Sequence, residues 1–389
     1  MDFLSAAMER SAWITGLRRR LHAMPEVGND LPRTRTLVCQ TLDELQIPYR
    51  TYPDNSSVRA EIHGRGAGRA AALRADMDAL RITEATGLPF AAQNGCMHAC
   101  GHDAHTAMLL GAAALLRQAD LPGNAVLLFQ CGEEGLGGAQ DLVDHGALEG
   151  VDVVFGQHAG VLSPELAGGC FGFRAGPFMA SRDIFYLTVR GRGCHGAHPN
   201  TGVDPIVVSA QLISALQTLI SRECGGEETA VLTIGAIHGG TVYNVIPERV
   251  EMEGALRCLD EALRDKLCRR LAELCRGLCA AMGAECGVRF GGSYPVLVNH
   301  PRETEFAARC AGELFGAGAV QTLEKPLMTS EDMAYLLQAR PGSFWCFATP
   351  PAGAVYPNHS PRFDIDEAQL PRGAAMLAYT AARWLEEAV

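Results

Sequence analysis

The sequence predicts an α/β protein with a mostly parallel sheet, helices on both of its faces, and an inserted ferredoxin-like α+β domain. Short, continuous apolar runs alternate with helical segments, which is typical of parallel strands that are buried on both faces. Residues 183–290 follow a different order, β-α-β-β-α-β, which is the ferredoxin-like pattern. A chain of 389 residues is also long for one core, which favours two domains.

The first domain is predicted from apolar periodicity and from the prolines that interrupt it. Amphipathic patterns that stop before Pro25 and Pro48 indicate two helices, and a third helix follows a Gly-containing loop. Runs rich in apolar residues indicate strands. The predicted helices are 3–22, 33–46 and 103–118, and the predicted strands are 58–62, 70–73, 124–130, 151–156 and 343–348.

The inserted domain is predicted from a second set of alternating strands and helices. Its strands are 184–189, 230–237, 249–256 and 285–290, and its helices are 203–222 and 260–282. Gly291 and Gly292 mark the expected return to the first domain. We therefore predict a catalytic domain made of residues 1–180 and 292–389, and an inserted lid and dimerisation domain at 181–291.

Composition excludes several classes of function. The net charge is -11, and the one short basic run, Arg18 to Arg20, lies on an amphipathic helix, so nucleic acid and anionic membranes are not expected partners. No apolar stretch has the length of a membrane span or a signal peptide. The 14 cysteines lack the close spacing of a disulfide framework. We expect a cytoplasmic protein.

Candidate metal ligands follow several of the predicted strands. Cys100 and His102 lie in a loop that leads into a helix, Glu133 and Glu134 follow strand 124–130, and His158 follows strand 151–156. His359 comes eleven residues after the last strand. Ligands beyond the carboxyl ends of parallel strands converge at one edge, and a thiol, imidazoles and carboxylates together suit a transition metal.

Each of these residues also has a structural interpretation. A single His or Cys is more often structural than a ligand, a Glu-Glu pair is usually solvated, and Asp103 could simply cap its helix. The combination at the strand ends favours a metal site, in which one carboxylate binds metal and its neighbour transfers a proton. Asp76 and Asp78 follow strand 70–73, where they could either cap a turn or support the site.

The motifs of this chain resemble those of the amidohydrolase branch of the dinuclear-metal peptidase family. That branch includes hippurate hydrolases, N-acyl-amino-acid amidohydrolases and plant hydrolases of indole-acetyl amino-acid conjugates. The resemblance covers nearly the whole chain, and its most specific motif is MHACGHDAHTAMLLGAAALL (97–116). The other matching motifs are RRRLHAMPEVG (18–28), LRADMDALRI (73–82), TGLPF (86–90), GEEGLGGA (132–139), GPFMASRDIF (176–185), GRGCHGAHP (191–199), GGTVYNVIPERV (239–250), MTSEDMAYLL (328–337) and HSPRFDID (359–366).

The resemblance implies a role for each matching residue. It implies two divalent metal ions per chain, Zn or Mn, with Co or Ni also compatible. The matching metal ligands are Cys100, His102, Glu134, His158 and His359. Glu133 matches the general base, Asp78 the aspartate that orients the site, and His195 a histidine that reaches the active site, often from the partner subunit. Asn244 and Arg257 match positions near the substrate's carboxylate and carbonyl.

Asp76 stands where many relatives have a ligand histidine, but in this branch the Cys-x-His loop is expected to replace it. His22, His98 and His105 are expected to support the site or the fold.

The activity that the resemblance implies is cleavage of N-acyl amino acids to a carboxylic acid and a free amino acid. The expected partners are the small-molecule substrate and a second copy of the chain, in a homodimer or a dimer-based tetramer through the inserted domain. A dipeptidase or carboxypeptidase, a hydrolytic deaminase of an aromatic amine, and a non-enzymatic binding protein are the alternatives. The departures from the family, such as Cys194 and Asn200, lie on the substrate side.

Overall fold

The computed structural model describes residues 1–66, 68–135 and 137–387, which form two compact units. The first unit comprises residues 1–176, 298–327 and the chain from Asp332 onward. The second comprises residues 177–297 and 328–331. Within the described ranges, every helix is too short or too polar to span a lipid bilayer.

Among the described residues before 176, the chain forms eleven helices and strands. They are α1 (Phe3–Glu9), α2 (Ser11–His22), α3 (Pro32–Glu44), β1 (Tyr49–Thr51), β2 (Val58–Ile62), β3 (Ala70–Asp76), α4 (His102–Leu116), β4 (Asn124–Gln130), α5 (Gly138–Asp144), β5 (Val153–Gly160) and β6 (Phe171–Phe173).

The middle of the chain forms β7 (Gly176–Met179), β8 (Arg182–Arg190), β9 (Cys194–His195), α6 (Pro205–Glu223), β10 (Ala230–Gly239), β11 (Val245–Ile246), β12 (Arg249–Cys258), α7 (Glu261–Ala281), β13 (Glu285–Tyr294) and β14 (Leu297–Asn299). The last part forms α8 (Pro301–Phe315), β15 (Val320–Thr322), α9 (Met333–Ala339), β16 (Gly342–Ala348) and α10 (Leu370–Glu386). Short 3-10 helices lie at Pro199–Thr201, Ala317–Ala319 and Glu367–Gln369.

The first unit is built on an eight-stranded sheet in the order β1-β2-β4-β3-β5-β16-β6-β15. Its centre is parallel, because β3 pairs in parallel with β4 and β5, and β16 pairs in parallel with β5. Strand β2 is antiparallel to both of its neighbours, and β6 is antiparallel to β16 but parallel to β15. The carboxyl ends of β3, β4 and β5 therefore meet at one edge of the sheet.

Helices cover both faces of this sheet. The ring of Phe155 on β5 stacks on Phe306 of α8, with their centroids 6.1 Å apart. A Cβ atom at the next residue, Gly156, would lie 3.5 Å from the Met333 side chain of α9. Consecutive strand residues point to opposite faces, so α8 and α9 cover different sides. The predicted fold class is confirmed.

The second unit contains a four-stranded antiparallel sheet in the order β10-β12-β8-β13. With α6 and α7 this is the β-α-β-β-α-β arrangement that the sequence predicts. The leucines of the two helices, Leu212 and Leu267 among them, form an apolar core with Phe185 of β8. This burial gives the unit a core of its own.

The structure corrects the prediction at the first helix. The sequence predicts a single helix over 3–22, but the chain bends at Arg10, whose N–H donates to Ala7 three residues back. No Gly or Pro marks this break. The two halves pack on different partners: Phe3 of α1 contacts Tyr379 of α10, and Ile14 of α2 lies against Gly111 of α4. Tertiary packing therefore decides where the helix divides.

Asp103 does not cap α4, which is a second correction. Gly101 occupies the N-cap position with φ 90°. The Asp103 carboxylate is buried and accepts hydrogen bonds from Arg18 Nε at 2.8 Å and from His22 Nδ1 at 2.7 Å. His22 Nε2 lies 3.1 Å from Glu84 Oε1. The first turn of α4 is thus anchored to α2 by buried charges.

These contacts predict a pH-dependent stability. Burial opposes the charge on His22, but attraction to Asp103 and hydrogen bonds to Asp103 and Glu84 outweigh it and raise its pKa from 6.5 to about 9. A raised folded-state pKa stabilises the fold fully below the unfolded pKa, and this stability is lost as the pH rises through 9. We expect the urea midpoint of the wild type to fall, relative to His22→Asn, between pH 6.5 and 9. Parallel pH profiles of the two proteins would contradict this.

Candidate metal centre

The candidate site lies at the carboxyl edge of the sheet in the first unit. Strand β3 ends at Asp76, Glu133 follows the end of β4 by three residues, and His158 belongs to the last part of β5. Both β3 and β5 are longer than predicted, so Asp76 and His158 lie within strands rather than beyond them. The parallel pairing brings their side chains to the same edge.

A left-handed glycine brings the Cys-Gly-His loop close to β5. Gly101 has φ 90°, and a Cβ atom there would lie 3.1 Å from the carbonyl oxygen of Ala159. Glycine permits both the backbone conformation and the close approach. As a result, Cys100 Sγ lies 3.4 Å from His158 Nε2. His102, the first residue of α4, is fully buried.

The carboxylate of Asp78 holds the two consecutive glutamates by their backbone. Asp78 Oδ1 accepts the N–H of Glu133 at 2.9 Å, and Oδ2 accepts the N–H of Glu134 at 3.0 Å. The carbonyl oxygen of Asp78 lies 2.8 Å from His102 Nδ1 and accepts its proton, which leaves Nε2 of that ring facing the glutamates. Asp78 therefore orients three neighbouring side chains at once.

His359 is positioned by an unusual backbone. It has φ 70°, which is uncommon for a residue other than glycine, and its N–H donates to the carbonyl of Ala99 at 2.7 Å. Its Nε2 lies 3.3 Å from Glu134 Oε1. The preceding residue, Asn358, donates from Nδ2 to the carbonyl of Cys100 at 3.1 Å, a contact that sequence reasoning missed. Its position beside His359 was the available signal.

The donor atoms form overlapping clusters within 4.8 Å. Cys100 and His158 share a cluster with His102, and Cys100 also shares one with Glu134 and His359. A third cluster joins His102 to both glutamates. The five residues predicted as ligands thus come together, and Glu133 lies beside them.

The charge state of the cluster favours a cation. Burial and the charge of Glu134 raise the pKa of the Cys100 thiol well above its usual value. Burial opposes the charge on His102, but Asp76 and Cys100 raise its pKa. Burial lowers the pKa of His158 well below its usual value, which keeps that ring neutral as a ligand must be. Thiol, imidazole and carboxylate donors in one buried cluster fit a divalent transition metal.

Two buried polar atoms point to the same conclusion. His102 Nε2 and Glu134 Oε1 are buried, and neither makes a well-aligned hydrogen bond among the described residues, although Asp76 Oδ2 lies 3.5 Å from the first and His359 Nε2 3.3 Å from the second. Buried polar atoms are normally satisfied, so such a pair requires an explanation. A metal ion bound by these atoms supplies one.

The other predicted residues belong to the second unit. His195 lies in the short strand β9, paired with Val245 of β11. Asn244 precedes β11, and its carbonyl accepts the N–H of Gly196 at 2.8 Å. His195 in β9 and Asn244 just before β11 are thus close to one another, and both are exposed.

Arg257 is half-buried on β12. Its Nη1 donates to the carbonyl of Met328 at 3.1 Å. Burial and the charge of Arg182 lower its pKa.

Comparison with known proteins identifies similar chains. The model of peptidase family M20/M25/M40 matches residues 72–383. The N-acetyl-L-cysteine deacetylase of Bacillus subtilis (strain 168) is 39% identical over 377 residues, which are 96% of this chain and 88% of that protein. Thermostable carboxypeptidase 1 of Saccharolobus solfataricus is 38% identical over 381 residues, 96% of this chain and 95% of that protein.

A solved structure also matches. The crystal structure of the Bacillus subtilis YXEP protein, described as a dinuclear metal binding peptidase from the M20 family, superimposes with a TM-score of 0.81 at 34% sequence identity. The match covers 97% of this chain and 98% of that one.

Proposed function

Because the chain belongs to peptidase family M20/M25/M40 and is a hydrolase of amide bonds, we propose that it cleaves N-acyl amino acids to a carboxylic acid and a free amino acid. The observation that carries this proposal is the cluster of five S, N and O donors with a carboxylate, Glu133, beside it. The deacetylase relative acts, by its name, on an N-acyl amino acid.

The proposed metal ligands are Cys100, His102, Glu134, His158 and His359. Two divalent ions, when bound, would act as Lewis acids and lower the pKa of water to about 7. The overlapping donor clusters support two ions, and the dinuclear relative supports the same number. The mixed ligand set suits Zn or Mn and admits Co or Ni.

Glu133 is the proposed general base. Its backbone is held by Asp78, and its side chain is almost completely buried, with Oε2 4.0 Å from His102 Nε2. It would take a proton from the attacking water and pass it to the leaving amine nitrogen. Asp78 would act indirectly, by keeping both glutamates in place.

The second unit would supply the contacts to the substrate. We propose that His195 donates a hydrogen bond to the oxyanion, and that Asn244 or Arg257 binds the carboxylate of the released amino acid. A homodimer is proposed through β10, an edge strand whose Val231 and Ile237 side chains are 41% and 48% exposed. An open edge with apolar side chains is suited to pairing with a second copy. Cysteines such as Cys39, Cys131 and Cys258 are free thiols, which supports a cytoplasmic location.

A carboxypeptidase is the second candidate. It is favoured by the Saccharolobus relative, which is as similar to this chain as the deacetylase is. The same metal and base would serve either reaction, because both hydrolyse an amide bond next to a free carboxylate.

The substrate class can be tested with a panel of N-acetyl, N-benzoyl and indole-acetyl amino acids and matched dipeptides with a free amino terminus. We expect release of free amino acid from the blocked compounds, and loss of that release after treatment with a chelator. Measurement of the amino acid product by chromatography checks this. Hydrolysis of the dipeptides alone would instead establish the carboxypeptidase alternative.

The adjacent residues Glu133 and Glu134 can be replaced one at a time, which gives a matched pair of variants that tests their separate roles. Glu133→Gln should lower kcat by about 10²–10⁴-fold while leaving the metal content intact, because it removes the base and no ligand. Glu134→Gln should lose metal as well as activity. Metal analysis of both purified variants, alongside kcat, separates the two roles. Wild-type turnover by Glu133→Gln would refute the assignment.

His195 can be tested against its neighbour His198, whose ring centroid is 5.7 Å away in the same loop. Removing an oxyanion donor typically costs about 10²–10³ in kcat, so His195→Ala should lose that much and His198→Ala little. Equal losses in the two variants would contradict the assignment. Co-expression of His195→Ala with Glu133→Gln then identifies the subunit: activity returns in hybrid dimers if His195 serves the partner's site.

A further inference from the structure

The backbone N–H and C=O of Ala159 each contact one imidazole. Its N–H donates to His105 Nε2 at 2.7 Å. Its carbonyl oxygen lies 3.0 Å from Nδ1 of His158, the preceding residue, and accepts its proton. With its proton on Nδ1, His158 has a lone pair on Nε2, the atom that faces Cys100 Sγ. The orientation of the proposed ligand therefore depends on where the backbone of Ala159 lies.

The backbone N–H of Ala159 determines which ring nitrogen of His105 carries a proton. His105 Nε2 also lies 3.4 Å from the Ala159 carbonyl oxygen, but its contact with the N–H is much shorter at 2.7 Å. A backbone N–H can only donate, so His105 Nε2 is the acceptor and carries no proton. The proton of the neutral ring is then on Nδ1, which lies 2.5 Å from Asp76 Oδ1 and donates to it. Both ring nitrogens of His105 are committed, and the side chain is 1% exposed. This argues against His105 as a metal ligand, although it clusters with Asp76 and His102.

Asp76 is itself held by buried charge. Its Oδ2 accepts a hydrogen bond from Arg74 Nη1 at 3.0 Å. Arg74 also donates to Gln130 at 2.7 Å and to Asp332 at 2.8 Å. All of these side chains are buried. Charge-assisted bonds in a buried network are strong and directional, so Asp76 is a fixed support for His105.

The sheet explains why Ala159 needs this partner. Pairing between β3 and β5 ends at Arg74 and Gly156, whereas β5 continues to Gly160. Beyond that point β5 has lost the strand on its β3 side. A buried backbone N–H must be satisfied, and His105 satisfies the one at Ala159.

We propose that His105 is a positioning residue that holds the Ala159 backbone at its N–H and thereby keeps the Ala159 carbonyl where it aims His158 Nε2 into the metal site. This inference rests on the proposed metal site. Partners that orient metal ligands typically contribute about 10- to 100-fold to metal affinity. His105 acts here through the backbone of Ala159, with Asp76 and Arg74 as its anchor.

The test compares three substitutions at position 105 in the full-length protein. His105→Gln can place an amide oxygen near the position of Nε2 and accept from Ala159. His105→Asn can place a donor near Nδ1 for Asp76 but does not reach Ala159, and His105→Ala does neither. The control is His98→Ala, because His98 is also buried, at 1% exposure, in the loop that leads into α4, and its ring nitrogens have no hydrogen-bond partner among the described residues.

Two readouts are measured. The dissociation constant for Zn²⁺ is obtained by competition with a chromophoric chelator. Amide hydrogen exchange of the peptide that contains Ala159 is followed in metal-free protein. We expect His105→Ala and His105→Asn to bind Zn²⁺ about 10- to 100-fold more weakly and to exchange faster at Ala159. His105→Gln and His98→Ala should stay close to the wild type in both.

The results distinguish failure of the role inferred for His105 from failure of the proposed metal site. Wild-type affinity and exchange in His105→Ala or His105→Asn would overturn the inference. Equal losses in His105→Gln and His105→Asn would also overturn it, because His105 would then act by a route other than Ala159. If the wild type itself binds no Zn²⁺, Mn²⁺ or Co²⁺, the proposed metal site fails, and the exchange data alone report whether His105 holds Ala159.

Discussion

The site depends on one carboxylate, Asp78, which accepts hydrogen bonds from two consecutive backbone amides. A turn that offers two adjacent N–H groups to one anion has little conformational freedom left. The chain after β4 is therefore tied to the end of β3. Both glutamates approach His102 Nε2, but Glu134 alone also lies beside His359. Adjacent residues of the same type can then have different neighbours, which is the basis of the separate roles proposed for Glu133 and Glu134.

Burial disfavours the charged form of each side chain in this cluster, so it shifts the pKa of an acid and that of a base in opposite directions. It holds the pKa of His158 down and that of Cys100 up, while the carboxylate of Asp76 helps to raise that of His102. Burial disfavours charge on these side chains, while the neighbouring carboxylates add negative charge. Keeping them together without a cation therefore costs free energy. Two buried ion pairs support the segments that carry the cluster: Arg74 with Asp76, both on β3, and Arg18 of α2 with Asp103 of α4.

Sequence reasoning succeeded where the signal is local. Strands β2 and β4 have the predicted bounds, because each is a short run whose apolar pattern is interrupted at both ends. The convergence of the candidate ligands followed from one rule about the carboxyl ends of parallel strands. The sequence-based predictions were wrong where a residue far away in the chain determines the local structure. The break at Arg10 depends on what α1 and α2 each pack against, and Asp103 is taken from the cap position by Arg18 and His22, 85 and 81 residues away.

The number of contacts that a residue makes also explains why candidate metal ligands and a candidate base could be named from the sequence, whereas the substrate could not. Ligand and base candidates are held by short motifs and buried hydrogen bonds within one unit, so their residue types are strongly constrained. His195 and Asn244 lie in or beside two-residue strands with exposed side chains, and Arg257 is held by a single backbone carbonyl. Because these three residues make few contacts, few constraints act on the types of residue next to them. A scaffold of this kind can keep its reaction while the surrounding residues change, and the proposed substrate contacts lie in the least constrained part of the sequence.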